Sequence, residues 1–125
     1  MNLERTNQTK AAITAVGGYV PDTILSNEDL EKMVDTNDAW ITSRTGIKER
    51  RILKDPNKAT SYLAIEAAQD LISNHQIDPS TIDMVLVATI TPDLPVAATA
   101  AYVASSIGAQ NAFAYDLNAA CSGFL

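Results

Sequence analysis

The sequence holds 125 residues, 46% hydrophobic and 19% charged, with a formal charge of −6; that balance suits one folded domain and excludes a disordered chain. One cysteine, Cys121, and one histidine, His75, exclude an internal disulfide framework and a Cys-based or paired-His metal site within the chain. No apolar run approaches the roughly 18 residues of a membrane-spanning helix, and Met1-Asn2-Leu3-Glu4-Arg5 has no apolar signal core. The expectation is therefore a cytoplasmic protein with a reduced thiol and no membrane partner.

Taken in chain order, residues 1–9 are polar and expected to be disordered, with one domain over 10–125. Residues 10–20 are small, apolar and β-branched and end in Gly17-Gly18 before Pro21, which predicts a strand entering a turn. Ser26 is placed to cap a short helix over 26–34, with Glu28 and Asp29 in its first turn. A second short helix is expected over Asp38–Thr45, stopping at Gly46. Residues 47–53 read as extended and basic. Over Thr60–His75 the residues Ala64, Ala67, Ala68, Leu71 and Ile72 fall on one stripe, with Glu66, Asp70 and Asn74 opposite, which predicts a helix lying close on a sheet.

Asp78-Pro79-Ser80 reads as a turn, and the unbroken apolar run Met84–Ala88 predicts a strand buried on both faces. A loop through Thr91-Pro92-Asp93-Leu94-Pro95 leads to a small-residue helix over 97–107, closed by Gly108, and then to a second buried-type strand over 112–117. Alternating strands and helices predict an α/β domain with a largely parallel sheet. Residues 118–125 read as the opening of a helix, so the chain is expected to be the N-terminal part of a longer protein.

Charge is unevenly distributed. Arg44, Lys48, Arg50, Arg51, Lys54 and Lys58 face only Glu49 and Asp55, leaving +4 on that stretch and −10 elsewhere. A basic island on an acidic chain does not suit a nucleic-acid partner, whose binding domains are usually basic overall; it suits one compact anionic partner or a solvated loop. Cys121 follows a buried-type strand and precedes Ser122-Gly123, where a helix is expected to start. Chemistry in open α/β sheets collects at the carboxyl ends of strands. A helix N-terminus favours the thiolate, and small neighbours admit a substrate and oxyanion-binding N–H groups; the same cysteine also suits a small buried apolar residue.

Asp116-Leu117-Asn118-Ala119-Ala120-Cys121-Ser122-Gly123-Phe124 resembles the active-site segment of the thiolase-like condensing enzymes, in particular the β-ketoacyl-acyl-carrier-protein synthase III type. Trp40-Ile41-Thr42-Ser43-Arg44-Thr45-Gly46-Ile47 with Glu49-Arg50-Arg51 resembles the coenzyme A-binding segment of that family, and Val87-Ala88-Thr89-Ile90-Thr91-Pro92-Asp93 a third stretch of it. The resemblance implies a thiolase-like fold, with this chain forming part of the N-terminal half of a five-layer αβαβα sandwich. It implies that Cys121 is acylated by an acyl-CoA primer and that the acyl group condenses with malonyl-acyl-carrier protein, losing carbon dioxide. It assigns Trp40 to stacking on the adenine of coenzyme A and Arg44 to the same nucleotide, and leaves Lys48, Arg50 and Arg51 as candidates for attracting the acyl carrier protein.

By the same resemblance, Val96, followed by Ala97 where many relatives have a larger apolar residue and proline, is the acyl-pocket candidate. The family's catalytic histidine and asparagine have no counterpart here, and His75 is expected to be a surface or helix-end residue. A homodimer is implied, its interface along the strand leading to the cysteine. Acyl-CoA enters as a substrate, with no metal or other cofactor implied. The competing readings are a thiolase-fold relative of secondary metabolism, of polyketide or quinolone type, a non-catalytic module binding coenzyme A or carrier protein, and a redox-sensing thiol domain.

Overall fold

A computed structural model describes residues 11–124; the expected disorder of 1–9 lies outside them. In order come β1 (Ile24–Ser26), α1 (Asn27–Glu31), α2 (Asp38–Thr45), β2 (Glu49–Arg51), α3 (Thr60–His75), a 3-10 turn (Pro79–Thr81), β3 (Met84–Ala88), α4 (Thr99–Ser106), β4 (Phe113–Leu117) and a 3-10 turn (Ala120–Phe124). β3 and β4 pair in parallel, Val85 opposite Ala114 and Val87 opposite Asp116. Parallel neighbours need a crossover, and α4 supplies it, packing on both strands and on α3.

Residues 24–51 form a small antiparallel unit. β1 and β2 pair antiparallel, Leu25 opposite Arg50, a pairing the sequence pattern does not announce because each strand is three residues long. Ser26 caps α1 as expected: its hydroxyl accepts from the Asp29 N–H at 3.1 Å while its own N–H donates to Asp29 Oδ2 at 3.2 Å, a reciprocal capping box. The Lys32 ammonium, 2.9 Å away, and the Ser26 hydroxyl hold the Asp29 carboxyl down at about 2. α2 stops at Gly46, whose φ of 72° is the left-handed conformation glycine adopts without steric cost.

Asn27 joins these pieces. Only 2% exposed, it donates through Nδ2 to Asp38 Oδ1 at 2.7 Å and to the Ile47 carbonyl at 2.8 Å, and its Oδ1 accepts from the Arg50 guanidinium. A buried amide with all its groups engaged fixes one arrangement of its neighbours.

Two expectations are corrected. Residues 11–20 form no strand. They cross α3 instead, where the Gly18 N–H donates to Asp70 Oδ2 at 3.0 Å and the Val16 carbonyl meets His75 Nε2 at 3.0 Å. The crossing is close enough that a Cβ on Gly17 would lie 2.6 Å from the Leu71 backbone, so α3 side chains satisfy backbone groups that a ladder would otherwise engage. β3 is also not buried on both faces: Val85 and Val87 face the helices, while Met84, Leu86, Phe113, Tyr115 and Leu117 are exposed on the other face.

α3 and α4 are capped from a distance. Neither Ala59 nor Ala98, the residues at their N-caps, offers a side-chain acceptor. The Asp93 carboxylate instead accepts from the Ser61 N–H at 2.9 Å. The Asp116 carboxylate, on β4, accepts from the Thr99 and Ala100 N–H groups at 2.8 and 2.7 Å. This cap also explains why α4 begins at Thr99 and not at 97: the first turn starts where the carboxylate meets the backbone. Replacing a cap acceptor by alanine costs about 1–2 kcal/mol. Asp116→Ala is therefore expected to lower the urea unfolding midpoint by at least that equivalent, and Asp116→Asn by less because one acceptor remains. Equal midpoints for all three proteins would contradict the cap.

Candidate active site

β4 ends at Leu117, whose carbonyl accepts the Thr89 N–H at 3.1 Å and carries the parallel ladder one step past β3. Immediately beyond, the chain reverses. Ala120 takes φ of 47°, the left-handed region that non-glycine residues enter at a cost. The Ser122 N–H closes the turn on the Ala119 carbonyl at 3.0 Å. Cys121, the residue after Ala120, is exposed. It lines a cavity of about 350 Å³ with Ala120 and with Ala88, Thr89, Ile90 and Thr91. The thiol thus stands at the carboxyl ends of two parallel strands, where the sequence order placed it.

The immediate surroundings differ from the sequence expectation. Among the described residues the segment at Cys121 is a five-residue 3-10 turn, and the Ser122 N–H is already given to Ala119. The Ser122 N–H is therefore not a free donor to the thiol. The turn offers the thiol exposure, a cavity and a backbone held under strain. Beside the cavity a hydroxyl chain ties its wall to α3: Thr60 Oγ1 donates to the Thr91 carbonyl at 2.6 Å, and the Thr91 N–H donates to Thr89 Oγ1 at 3.0 Å.

Trp40 and Arg44 come together as one turn of α2 requires. The Trp40 N–H donates to the capping Asn37 Oδ1 at 2.8 Å, and the indole is 52% exposed. The Arg44 guanidinium lies over the ring, 4.4 Å from its centroid, a cation–π arrangement. Trp40 also edges a polar cavity of about 370 Å³ with Asp35, Thr36 and Asn37. α2 packs on α1, and among the described residues no hydrogen bond joins it to the Cys121 turn.

The rest of the basic island is less available than its charge suggests. Arg50 is turned onto Asn27. Arg51 donates to the Pro21 carbonyl at 3.2 Å and lies 3.6 Å from Glu49. Lys48 lies 3.6 Å from Asp38, and Lys58 sits 3.7 Å over the Tyr62 ring. Asp38 is held below its ordinary value by the Asn27 amide first and the Thr42 hydroxyl second, with Lys48 adding to both. His75 sits at the end of α3 on the Val16 carbonyl, the helix-end position expected of it. Val96 is 96% exposed in the loop between β3 and α4 and does not line the Cys121 cavity.

Among the described residues no group of three His, Cys, Asp or Glu is placed to hold a metal ion, and no helix is long and apolar enough to cross a membrane. Sequence reasoning missed Asn27, the two capping aspartates and the conformation of Ala120. Only the caps left a signal: Ala59 and Ala98 stand where a capping side chain belongs. The Ala120 conformation is directly testable. Ala120→Gly is expected to keep or raise stability, by up to about 1 kcal/mol, and Ala120→Val to lower it, because a β-branched residue tolerates positive φ poorly. Equal thermal midpoints for both variants would contradict the left-handed turn.

No family model matches the chain. The β-ketoacyl-[acyl-carrier-protein] synthase III of Chlorobium chlorochromatii is 63% identical over 116 residues, covering 93% of this chain and 35% of that protein. The protein of the same name from Porphyromonas gingivalis is 56% identical over 119 residues, covering 95% of this chain and 36% of that one. The crystal structure of β-ketoacyl-[acyl-carrier-protein] synthase III from Thermus thermophilus superimposes with a TM-score of 0.82 at 46% identity, covering 90% of this chain and 35% of that one. The chain thus spans about 35% of the curated relatives' length.

Proposed function

Because the chain belongs to the thiolase-like condensing enzymes of the synthase III type, we propose that its protein is an acyltransferase that starts fatty-acid synthesis, with Cys121 as its nucleophile. The observation that carries this reading is an exposed thiol, on a strained turn at the ends of two parallel strands, opening into a 350 Å³ cavity. The Cys121 thiolate attacks the acyl-CoA carbonyl, coenzyme A leaves as its thiol, and an acyl thioester remains on Sγ. Malonyl-acyl-carrier protein then loses carbon dioxide, and the resulting carbanion attacks the thioester, releasing Cys121 and a β-ketoacyl product. The described residues supply the nucleophile; His75, engaged at the end of α3, has no part in the decarboxylation.

Trp40 and Arg44 are the coenzyme A-binding pair. Arg44 covers one face of the indole, Trp40 remains about half exposed, and a polar cavity lies beside it. Acyl-CoA is a substrate, and the reaction as written uses no other cofactor. Of the carrier-protein candidates, Lys48 is the most available, exposed and 3.6 Å from Asp38; Arg50 serves Asn27 and Arg51 the Pro21 carbonyl instead. Val96, exposed and away from the Cys121 cavity, is the acyl-pocket candidate near the interface of a homodimer formed along β4, the strand that leads to Cys121. We place the enzyme in the cytoplasm, with neither membrane nor nucleic acid as partner.

Intact-mass measurement after incubation with acetyl-CoA is expected to find a single acetyl adduct on the protein and none on Cys121→Ala; an adduct that persists in the variant would overturn the assignment. Trp40→Ala is expected to raise KM for acyl-CoA by about tenfold or more, the scale of one lost base–aromatic stack, with kcat within about twofold, as uniform binding requires. An unchanged KM would remove Trp40 from the site.

A further inference from the structure

Gly123 lies two residues beyond the thiol, in the 3-10 turn. Its backbone is not among the positive-φ glycines of the described chain, which are Gly46 and Gly108. Conformational freedom is therefore not what position 123 requires. Space is: a Cβ built on Gly123 would lie 3.1 Å from the Ala88 Cβ and 4.0 Å from its Cα. Ordinary contact at such a site begins at 3.4 Å. Ala88 is the last residue of β3 and lines the same cavity as Cys121.

We propose that Gly123 and Ala88 form a positioning pair: the bare backbone of one seats the Cys121 turn on the methyl of the other and so sets where the thiol meets its acyl donor. The argument rests on Cys121 being the acylated residue. Besides the Ala120 N–H donated to Asn118 Oδ1 at 3.5 Å, three constraints hold the turn: the Thr89–Leu117 hydrogen bond, the Ser122–Ala119 hydrogen bond within it, and this contact. The first two are backbone bonds that a side-chain change leaves in place. The third depends only on the two side chains being as small as hydrogen and methyl. A methyl added at Gly123 requires a give of a few tenths of an ångström between the turn and Ala88; the pair predicts that the turn gives and Cys121 moves with it. The hydroxyl-tied wall of Thr89 and Thr91 stays where α3 holds it. Near-attack geometry tolerates such shifts poorly, about 1 Å of misplacement costing on the order of a hundredfold.

The test is single-turnover acylation by acetyl-CoA, followed by intact mass, in the full-length protein. Gly123→Ala is expected to slow acylation about tenfold while KM for acyl-CoA changes less than about twofold. Adding Ala88→Gly to Gly123→Ala is expected to restore the rate, because it removes the opposing methyl. Unfolding midpoints accompany each variant, so that general destabilisation is told apart from displacement: rescue of the rate by Ala88→Gly without rescue of the midpoint supports positioning. An unchanged rate in Gly123→Ala, or no rescue in the double variant, overturns the pair. If wild-type protein itself takes no acyl group on Cys121, the proposed reaction fails first and the pair falls with it.

Discussion

Two carboxylates that cap helices not their own organise the second half of the molecule. Asp93 accepts the Ser61 N–H at the start of α3, and Asp116 accepts two N–H groups at the start of α4. Thr99 connects them: its hydroxyl accepts the Asp93 N–H at 3.2 Å while its own N–H donates to Asp116. The three bonds to the carboxylates are charge-assisted and lie at the positive ends of helices, where negative charge is most favourable. Helices preceded by alanine have no local way to satisfy those donors, so α3, the loop after β3, α4 and β4 hold one another in register.

That register is what the thiol depends on. Asp116 lies five positions before Cys121 in the sequence and fixes the end of β4 against α4. The wall opposite the thiol, Thr89 to Thr91, is fixed to α3 through Thr60. The cavity between them is therefore framed by elements whose starting points the two aspartates set. The strained Ala120 and the close seat of Gly123 on Ala88 can persist there because the neighbouring structure over-determines them. Trp40 and Arg44 stand apart on α2, in a unit whose own fixed point is Asn27.

How much of this was legible in the sequence follows from range. Local signals read well: the Thr60–His75 stripe, the Ser26 cap, the Gly46 stop and the apolar run Met84–Ala88 all mark the elements found there. Trp40 and Arg44 are paired in the sequence by the family resemblance, and one turn of α2 brings their side chains together. What failed was non-local. The residues 11–20 have strand composition but cross α3, since a strand needs a neighbour and none is present among the described residues. β3 was read as doubly buried from its unbroken apolarity, which records what its two faces are made for and not what covers them here. The basic island was read as charge, whereas Arg50 and Arg51 are engaged by an amide and a carbonyl distant in sequence.

The most direct test of this account is a double-mutant cycle between Asp93→Ala and Asp116→Ala, read as urea unfolding free energies. Residues that share a partner couple, typically by 0.5–3 kcal/mol. Coupling of at least about 0.5 kcal/mol, falling away when Thr99→Ala is the common background, is the predicted result. Losses that add to within about 0.3 kcal/mol, with or without Thr99, would contradict the claim that one connected set of caps holds the site together.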